Sequence, residues 1–201
     1  MVSKTLEFIF DFASPNAYLA MQVLPPIVER TGATLTLTPA LLGGIFKATN
    51  NVAPFVRFAE TPARMAYEML ELKRFVEVHR LNSFRMNANF PVNSLIVMRG
   101  AMVAERDNLL VHYVEAVLRG FWEKGLNMGD PATISAHLSA NGFDGPALIA
   151  ASQGQAIKDA LSANTAAAVA RGVFGIPTFF VGDEMFFGKE RLGQVEAALM
   201  A

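Results

Sequence analysis

The chain has 201 residues, 52% of them apolar and 17% charged, and a formal net charge of −1. At that length a folded chain buries roughly 70% of the surface its unfolded form exposes, so one domain, or one domain with a large insertion, is expected around a stable core. The balanced charge, free of long lysine–arginine runs, excludes a nucleic-acid footprint and a charged tail, and the absence of cysteine excludes disulfides, thiolate metal sites and dithiol redox chemistry by the protein itself.

The chain opens Met1-Val2-Ser3-Lys4-Thr5-Leu6-Glu7, and Glu7 and Asp11 interrupt the apolar stretch that follows. That stretch is too short and too acidic for a signal peptide. With no window of about 18 uninterrupted apolar residues, no membrane span is expected either, and the expectation is a soluble cytoplasmic protein. Leu6 to Phe12 is aromatic and branched, is short and ends at a turn signal, so it reads as a buried strand. Ser14-Pro15 then opens a helix, serine as N-cap and proline at the first helical position. Tyr18, Leu19, Val23, Leu24 and Ile27 recur at helical spacing to about Arg30, and Gly32 stops the helix. Pro25-Pro26 inside it predicts a kink. Ala33 to Pro39 alternates polar and apolar residues and reads as a second strand, parallel to the first in a βαβ unit.

From Leu42 to Arg171 no strand is evident. Pro62 to Arg80 reads as a helix with Met65, Met69, Leu72, Phe75 and Val76 along one face. Phe90-Pro91-Val92-Asn93-Ser94 breaks the chain, with Asn93 as a cap. Ser94 to Glu105 and Leu109 to Lys124 read as helices, Pro131 opens another that ends near Asn141-Gly142, and Pro146 to about Ala170 is one long helix or two broken near Gly154. Thr178 to Val181 and Glu184 to Phe187 flank Gly182-Asp183 as a β-hairpin, and Arg191 to Met200 is a closing helix. A sheet completed only by the last residues makes the helical block an insertion. The division is residues 1–41 with 172–201 for the sheet domain and 42–171 for the helical domain.

Three places offer chemistry. Ser14 sits at the first βα turn, where ligands of open α/β sheets bind and where a helix N-terminus favours an anion; the alternative is an N-cap and nothing more. Gly175-Ile176-Pro177-Thr178 precedes the hairpin, and local sequence alone favours a trans proline there. Gly188-Lys189-Glu190-Arg191 opens the last helix, with a solvated charged turn as the alternative. Asp11 reads as either a group that tunes the Ser14 site or a solvated strand-end carboxylate. His79, His112 and His137 fall on separate helices without metal-ligand spacing, so no metal site is expected. Trp122 and the methionines read as helical core, and some methionine and phenylalanine near Phe46 to Phe58 as lining of the substrate pocket.

Phe10-Asp11-Phe12-Ala13-Ser14-Pro15-Asn16-Ala17-Tyr18-Leu19-Ala20, Asn82-Ser83-Phe84-Arg85-Met86-Asn87, and Val173 to Glu184 running on into Phe187-Gly188-Lys189-Glu190-Arg191-Leu192 together resemble the 2-hydroxychromene-2-carboxylate isomerases and their kin, the kappa-class glutathione transferases. These form part of the DsbA-like branch of the thioredoxin superfamily. The resemblance implies a thioredoxin-like α/β fold with an inserted all-helical domain, and glutathione as cofactor. Ser14 takes the place of the nucleophilic cysteine of redox relatives and would donate to the thiolate of glutathione. The resemblance makes Ile176-Pro177 the cis-proline loop, with the Ile176 backbone pairing the cofactor as an added strand does. It places Glu190, Arg191 and nearby helix amides at the γ-glutamyl end, Lys47, Asn50 and Asn51 as further contacts in the loop after the second strand, and Asn82, Arg85 and Asn87 on the substrate side. Asn16-Ala17 departs from the aromatic and serine of many relatives, which bears on the substrate rather than the cofactor.

The implied activity is a glutathione-dependent cis–trans isomerisation of a conjugated aromatic keto acid, as in naphthalene degradation, by thiolate addition, bond rotation and elimination. A protein without a thiol must borrow one, so the missing cysteine and the cofactor belong together. The alternatives are a kappa-like transferase or peroxidase, and a thiol-less thioredoxin-fold binding protein. The resemblance further implies a homodimer acting on a small aromatic molecule, with no nucleic acid or membrane partner.

Overall fold

A computed structural model describes residues 4–201; Met1, Val2 and Ser3, where the reading of the N-terminus begins, lie outside the described residues. The sheet has the order β2-β1-β3-β4, from β1 (Thr5–Phe10), β2 (Thr34–Pro39), β3 (Thr178–Val181) and β4 (Glu184–Phe187). β1 and β2 run parallel, with Leu6 opposite Leu35. The chain's last strands are antiparallel, Phe8 facing Phe179 across β1 and β3 and Phe179 facing Phe186 across β3 and β4. The Phe8 and Phe179 rings stack at 5.1 Å. Phe8, Ile9 and Phe10 are all buried, so both sides of β1 are covered, as parallel strands require.

Helices α1 (Pro15–Thr31) and α10 (Leu192–Met200) pack on one another, and α5 (Leu95–Arg106) packs with α9 (Gln155–Ala170) and against β2. Gly32 ends α1 at φ 64°, a left-handed cap that glycine adopts without steric cost. α1 runs unbroken through Pro25 and Pro26, and both are exposed. Their place on the solvent side of the helix is where a missing backbone bond costs least.

Among the described residues no strand lies between β2 and β3. That stretch holds α2 (Leu42–Thr49), α3 (Pro54–Arg57), α4 (Pro62–Val78), α5, α6 (Leu110–Trp122), α7 (Pro131–Ser139), α8 (Gly145–Ala151) and α9. The alanine-rich stretch breaks at Gly154, the N-cap of α9. Asn93 does not occupy the assigned N-cap of α5, which is Ser94, but its side chain accepts the Leu95 N–H at 2.9 Å. The last helical segment begins as a 3-10 turn (Lys189–Arg191) before α10.

No residue of α4 is fully buried, so its apolar face is half-covered. One expectation is corrected. The methionines divide: Met98, Met102 and Met128 are buried, while Met69, Met86, Met185 and Met200 are exposed. Met200 stands at the chain end and Met185 on the edge strand β4, where nothing covers them.

Candidate functional site

The C-terminal end of β1 delivers Phe12-Ala13-Ser14 into a tight turn. Ser14 is extended (φ −88°, ψ 113°), and its side chain accepts the Ala17 N–H at 3.2 Å. That is an N-cap, and it satisfies one of the donors a helix start leaves open. The same hydroxyl donates to the Ile176 carbonyl at 3.4 Å, across the gap from α1 to the loop before β3. Ser14 is 5% exposed. The fold thus brings together Ser14 and Ile176-Pro177, and the Ile176–Pro177 bond is cis.

The turn holds unspent hydrogen-bonding capacity. Among the described residues, no group accepts the backbone N–H of Asn16 or of Ile176. The Asn16 Oδ1 is buried without a partner. Two open donors, one open acceptor and a serine hydroxyl on the positive end of a 17-residue helix suit a peptide-like anion.

Asp11 is not a solvated carboxylate. It is fully buried, and it accepts the Ala13 N–H at 2.9 Å and the Leu42 N–H at 2.8 Å, with Ser94 as a third donor. It therefore ties the Ser14 turn to the starts of α2 and α5. Burial raises its pKa above the ordinary aspartate value, and the three donors only partly oppose that. A folded-state pKa above the unfolded one means that the native protein holds this proton more tightly. The stabilising contribution is present below the unfolded pKa and is lost as pH rises through the folded one. Urea midpoints across acid pH should show Asp11→Asn losing ground to the wild type most at low pH, the gap narrowing as pH rises. An offset of about 1–3 kcal/mol should remain, because one backbone N–H then faces an amide NH₂. A gap that widens with pH is the contrary result.

The other predicted residues fall in different settings. Lys47 is exposed on α2, which replaces the expected loop; Asn50 is the left-handed cap of that helix at φ 54°. Asn51 is already engaged: its amide donates to the Phe174 carbonyl at 2.8 Å, and its Oδ1 accepts from Arg57 at 2.7 Å. It pins α3 to the proline loop. Asn87 is buried, donating to the carbonyls of Phe121 and Leu126, both at 2.9 Å. It therefore shapes the 81–90 segment from inside. Asn82 and Arg85 are exposed on that segment, which the Arg85 N–H anchors to the Trp122 carbonyl at 2.6 Å.

Glu190 and Arg191 are exposed on the 3-10 turn, which hangs from the proline loop through the Gly188 N–H and the Pro177 carbonyl at 2.9 Å. Lys189 departs from a solvated turn. It is 4% exposed, paired with Glu190, and its ammonium lies 5.2 Å from the centre of the Phe75 ring on α4. Sequence reasoning missed it because charge alone reads as surface.

It also missed most of a wall of rings, of which it marked only Phe55 as pocket lining. Tyr18, one turn beyond Ser14, stacks on Phe84 at 5.7 Å; Phe84 stacks on Trp122 at 6.1 Å. Phe90 joins Trp122 at 6.2 Å and Phe55 at 5.6 Å. The Tyr18 hydroxyl donates to Glu123 at 3.2 Å; burial and that carboxylate push its pKa up. The four-residue step from Ser14 to Tyr18, which puts both on one helix face, was the available signal. The histidines stand apart: His137 meets the Ala116 carbonyl at 2.9 Å, His112 the Asn141 carbonyl at 3.0 Å, and His79 packs on Phe75 at 4.3 Å. Among the described residues no group of three or more potential ligands could hold a metal ion, and no helix is long and apolar enough to cross a membrane.

Known proteins match this chain over nearly its full length. The model of the DSBA-like thioredoxin domain covers residues 5–200. The 2-hydroxychromene-2-carboxylate isomerase of Pseudomonas putida is 30% identical, over 96% of this chain and 93% of its own length. Glutathione S-transferase kappa 2 of Caenorhabditis elegans is 25% identical over 96% of this chain and 90% of its own. The solved structure of a 2-hydroxychromene-2-carboxylate isomerase superposes with a TM-score of 0.84 at 28% identity, covering 97% of this chain and 94% of that one. A DSBA-like thioredoxin fold whose first turn carries Ser14 opposite a cis-proline loop, matched over nearly its full length by such relatives, places the chain in the 2-hydroxychromene-2-carboxylate isomerase family.

Proposed function

We propose that this chain is a glutathione-dependent cis–trans isomerase acting on a conjugated aromatic keto acid. The observation that carries the reading is the contact of the Ser14 hydroxyl with the Ile176 carbonyl at 3.4 Å, which brings the residue with the open N–H beside the first amides of α1. An extended cysteinyl backbone aligned along Ile176, as an added strand, brings its side chain to the helix N-terminus. Glutathione fits that donor set, and relatives named as kappa glutathione transferases support it.

When bound, glutathione supplies the thiol that adds to and leaves a conjugated carbon, so that a double bond can rotate. The protein's part is to keep that sulfur charged and placed. The Ser14 hydroxyl gives up its long bond to the Ile176 carbonyl and donates to the thiolate. The Asn16 N–H and the α1 dipole add positive potential. Ser14 stabilises the thiolate and does not attack: no histidine accepts its proton, as a serine triad would need. Glu190 and Arg191, on the turn suspended from Pro177, take the charged γ-glutamyl end. The rings of Phe84, Phe90 and Phe55 offer an aromatic substrate an apolar wall of both ring faces and edges, with Asn82 and Arg85 on the same segment as partners for the keto acid.

Calorimetry with glutathione, followed by product analysis on 2-hydroxychromene-2-carboxylate, tests the reading. Expected are binding below millimolar and a trans product with glutathione recovered unchanged. A glutathione conjugate or glutathione disulfide would move the chain to the transferase or peroxidase alternative. Failure to bind glutathione would overturn the cofactor and favour a binding protein.

A further inference from the structure

A second cleft, of about 340 Å³, opens between α2, α5 and α9. None of Ser14, Asn16, Ile176 and Pro177 lines it. Its walls are aliphatic, with Leu95 and Leu161 among them and no aromatic ring, and Arg99 from α5 and Lys158 from α9 both reach it. No acidic residue lines it, and among the described residues neither cation is paired with a carboxylate. Both are half-buried. Two partly desolvated cations in one apolar cleft repel each other, and in a chain of net charge −1 nothing about the global charge requires them there. Ligand sites take this form: mostly apolar walls, a few convergent polar groups, and a volume of a few hundred Å³.

The buried hydroxyl of the cleft wall is already spent. The Thr165 hydroxyl donates to the Leu161 carbonyl at 2.7 Å and accepts the Leu41 N–H at 3.0 Å. What remains to be met is positive charge beside aliphatic surface. We propose that this cleft is a second, non-catalytic site for an amphipathic carboxylate with an aliphatic body. The carboxylate lies between Arg99, whose planar fork suits it, and Lys158. The aliphatic body covers Leu95 and Leu161. The cleft stands independently of what binds at Ser14, since the two share no lining residue. They are linked through the starts of α2 and α5, which Asp11 holds, and α2 turns Gly44 and Ala48 to the cleft.

The test is a titration of the whole chain with octanoate in saturating glutathione, followed by backbone amide resonances. Expected are one-to-one binding, shifts at Ala48 and Ser162, and none at Ser14 or Ile176. Arg99→Gln and Lys158→Gln should each weaken octanoate at least tenfold, the size of one lost charge-assisted bond, and octanol should bind at least tenfold more weakly than octanoate. Unchanged affinity in both variants, or shifts that centre on Ser14, would overturn the proposal. The wild-type shift map decides alone if a variant fails to fold. Should the chain not bind glutathione at all, the same titration without it still reads the cleft, so the two proposals fail separately.

Discussion

Replacing Ser14 with alanine should raise the pKa of bound glutathione by about 1–2 units and lower kcat/KM for isomerisation by roughly 10–100-fold at neutral pH. The free thiol titrates near 8.5, so about 3% is thiolate at pH 7. A hydrogen bond to a charged acceptor contributes about 1.5–3 kcal/mol, and a helix N-terminus about 0.3–1 kcal/mol. At ~1.36 kcal/mol per pKa unit the hydroxyl is the larger share, and the dipole survives the substitution. Alanine also removes the N-cap of α1, where the Ser14 side chain accepts the Ala17 N–H. That costs about 1 kcal/mol of stability. The two effects separate by measurement. Thiolate absorbance against pH in the complex reads the electrostatic role, and thermal unfolding without glutathione reads the cap. Ser14→Thr keeps a hydroxyl and should restore most of the thiol shift. An unmoved thiol pKa in Ser14→Ala would leave Ser14 as a cap alone.

What could be read in the sequence was what local chemistry decides. Ser14-Pro15, Gly32 and Gly182 announce a cap, a helix stop and a hairpin turn by their own backbone preferences, and each stands where expected. α2 carried no such signal. Its N-cap is Leu41, without a side-chain bond, and it contains Gly43-Gly44. It forms because distant groups complete it: Asp11 accepts the Leu42 N–H, and Gly44 passes close to Thr165, where a Cβ would lie 3.0 Å from the threonine methyl. Lys47 was therefore placed in a loop when it rides a helix. The site was legible in the same uneven way. Ser14 and Ile176-Pro177 were marked by sequence, but Asn51 and Asn87 bond to carbonyls that only the tertiary fold brings near. Lys189 is buried because α4 sets Phe75 beside it. Polarity in a sequence predicts a hydrogen bond; it does not say whether the partner is a ligand or the chain itself.

Trp122→Ala should destabilise the protein by about 3–5 kcal/mol, the usual cost of deleting a fully buried large aromatic side chain. Trp122 has no exposed surface. Its ring touches Phe84, Phe90 and Phe121, and its indole N–H donates to the Phe12 carbonyl at 2.8 Å. It therefore fastens the end of α6 to the turn two residues before Ser14, and its own carbonyl holds the Arg85 N–H of the substrate-side segment. Alanine leaves a cavity and an unpaired buried carbonyl together, and for a chain of this size the loss corresponds to roughly 6–20 °C in Tm. Trp122→Phe keeps much of the volume but loses the donor, and about 1–3 kcal/mol is expected for the orphaned carbonyl and the partial void. Glutathione affinity provides the second readout, because the Phe12 carbonyl lies in the backbone that aims Ser14. If the phenylalanine variant weakens glutathione binding at a temperature where it is fully folded, the indole bond positions the site. If affinity is unchanged while stability falls, Trp122 supports the fold alone, and the Ser14 turn is held by Asp11.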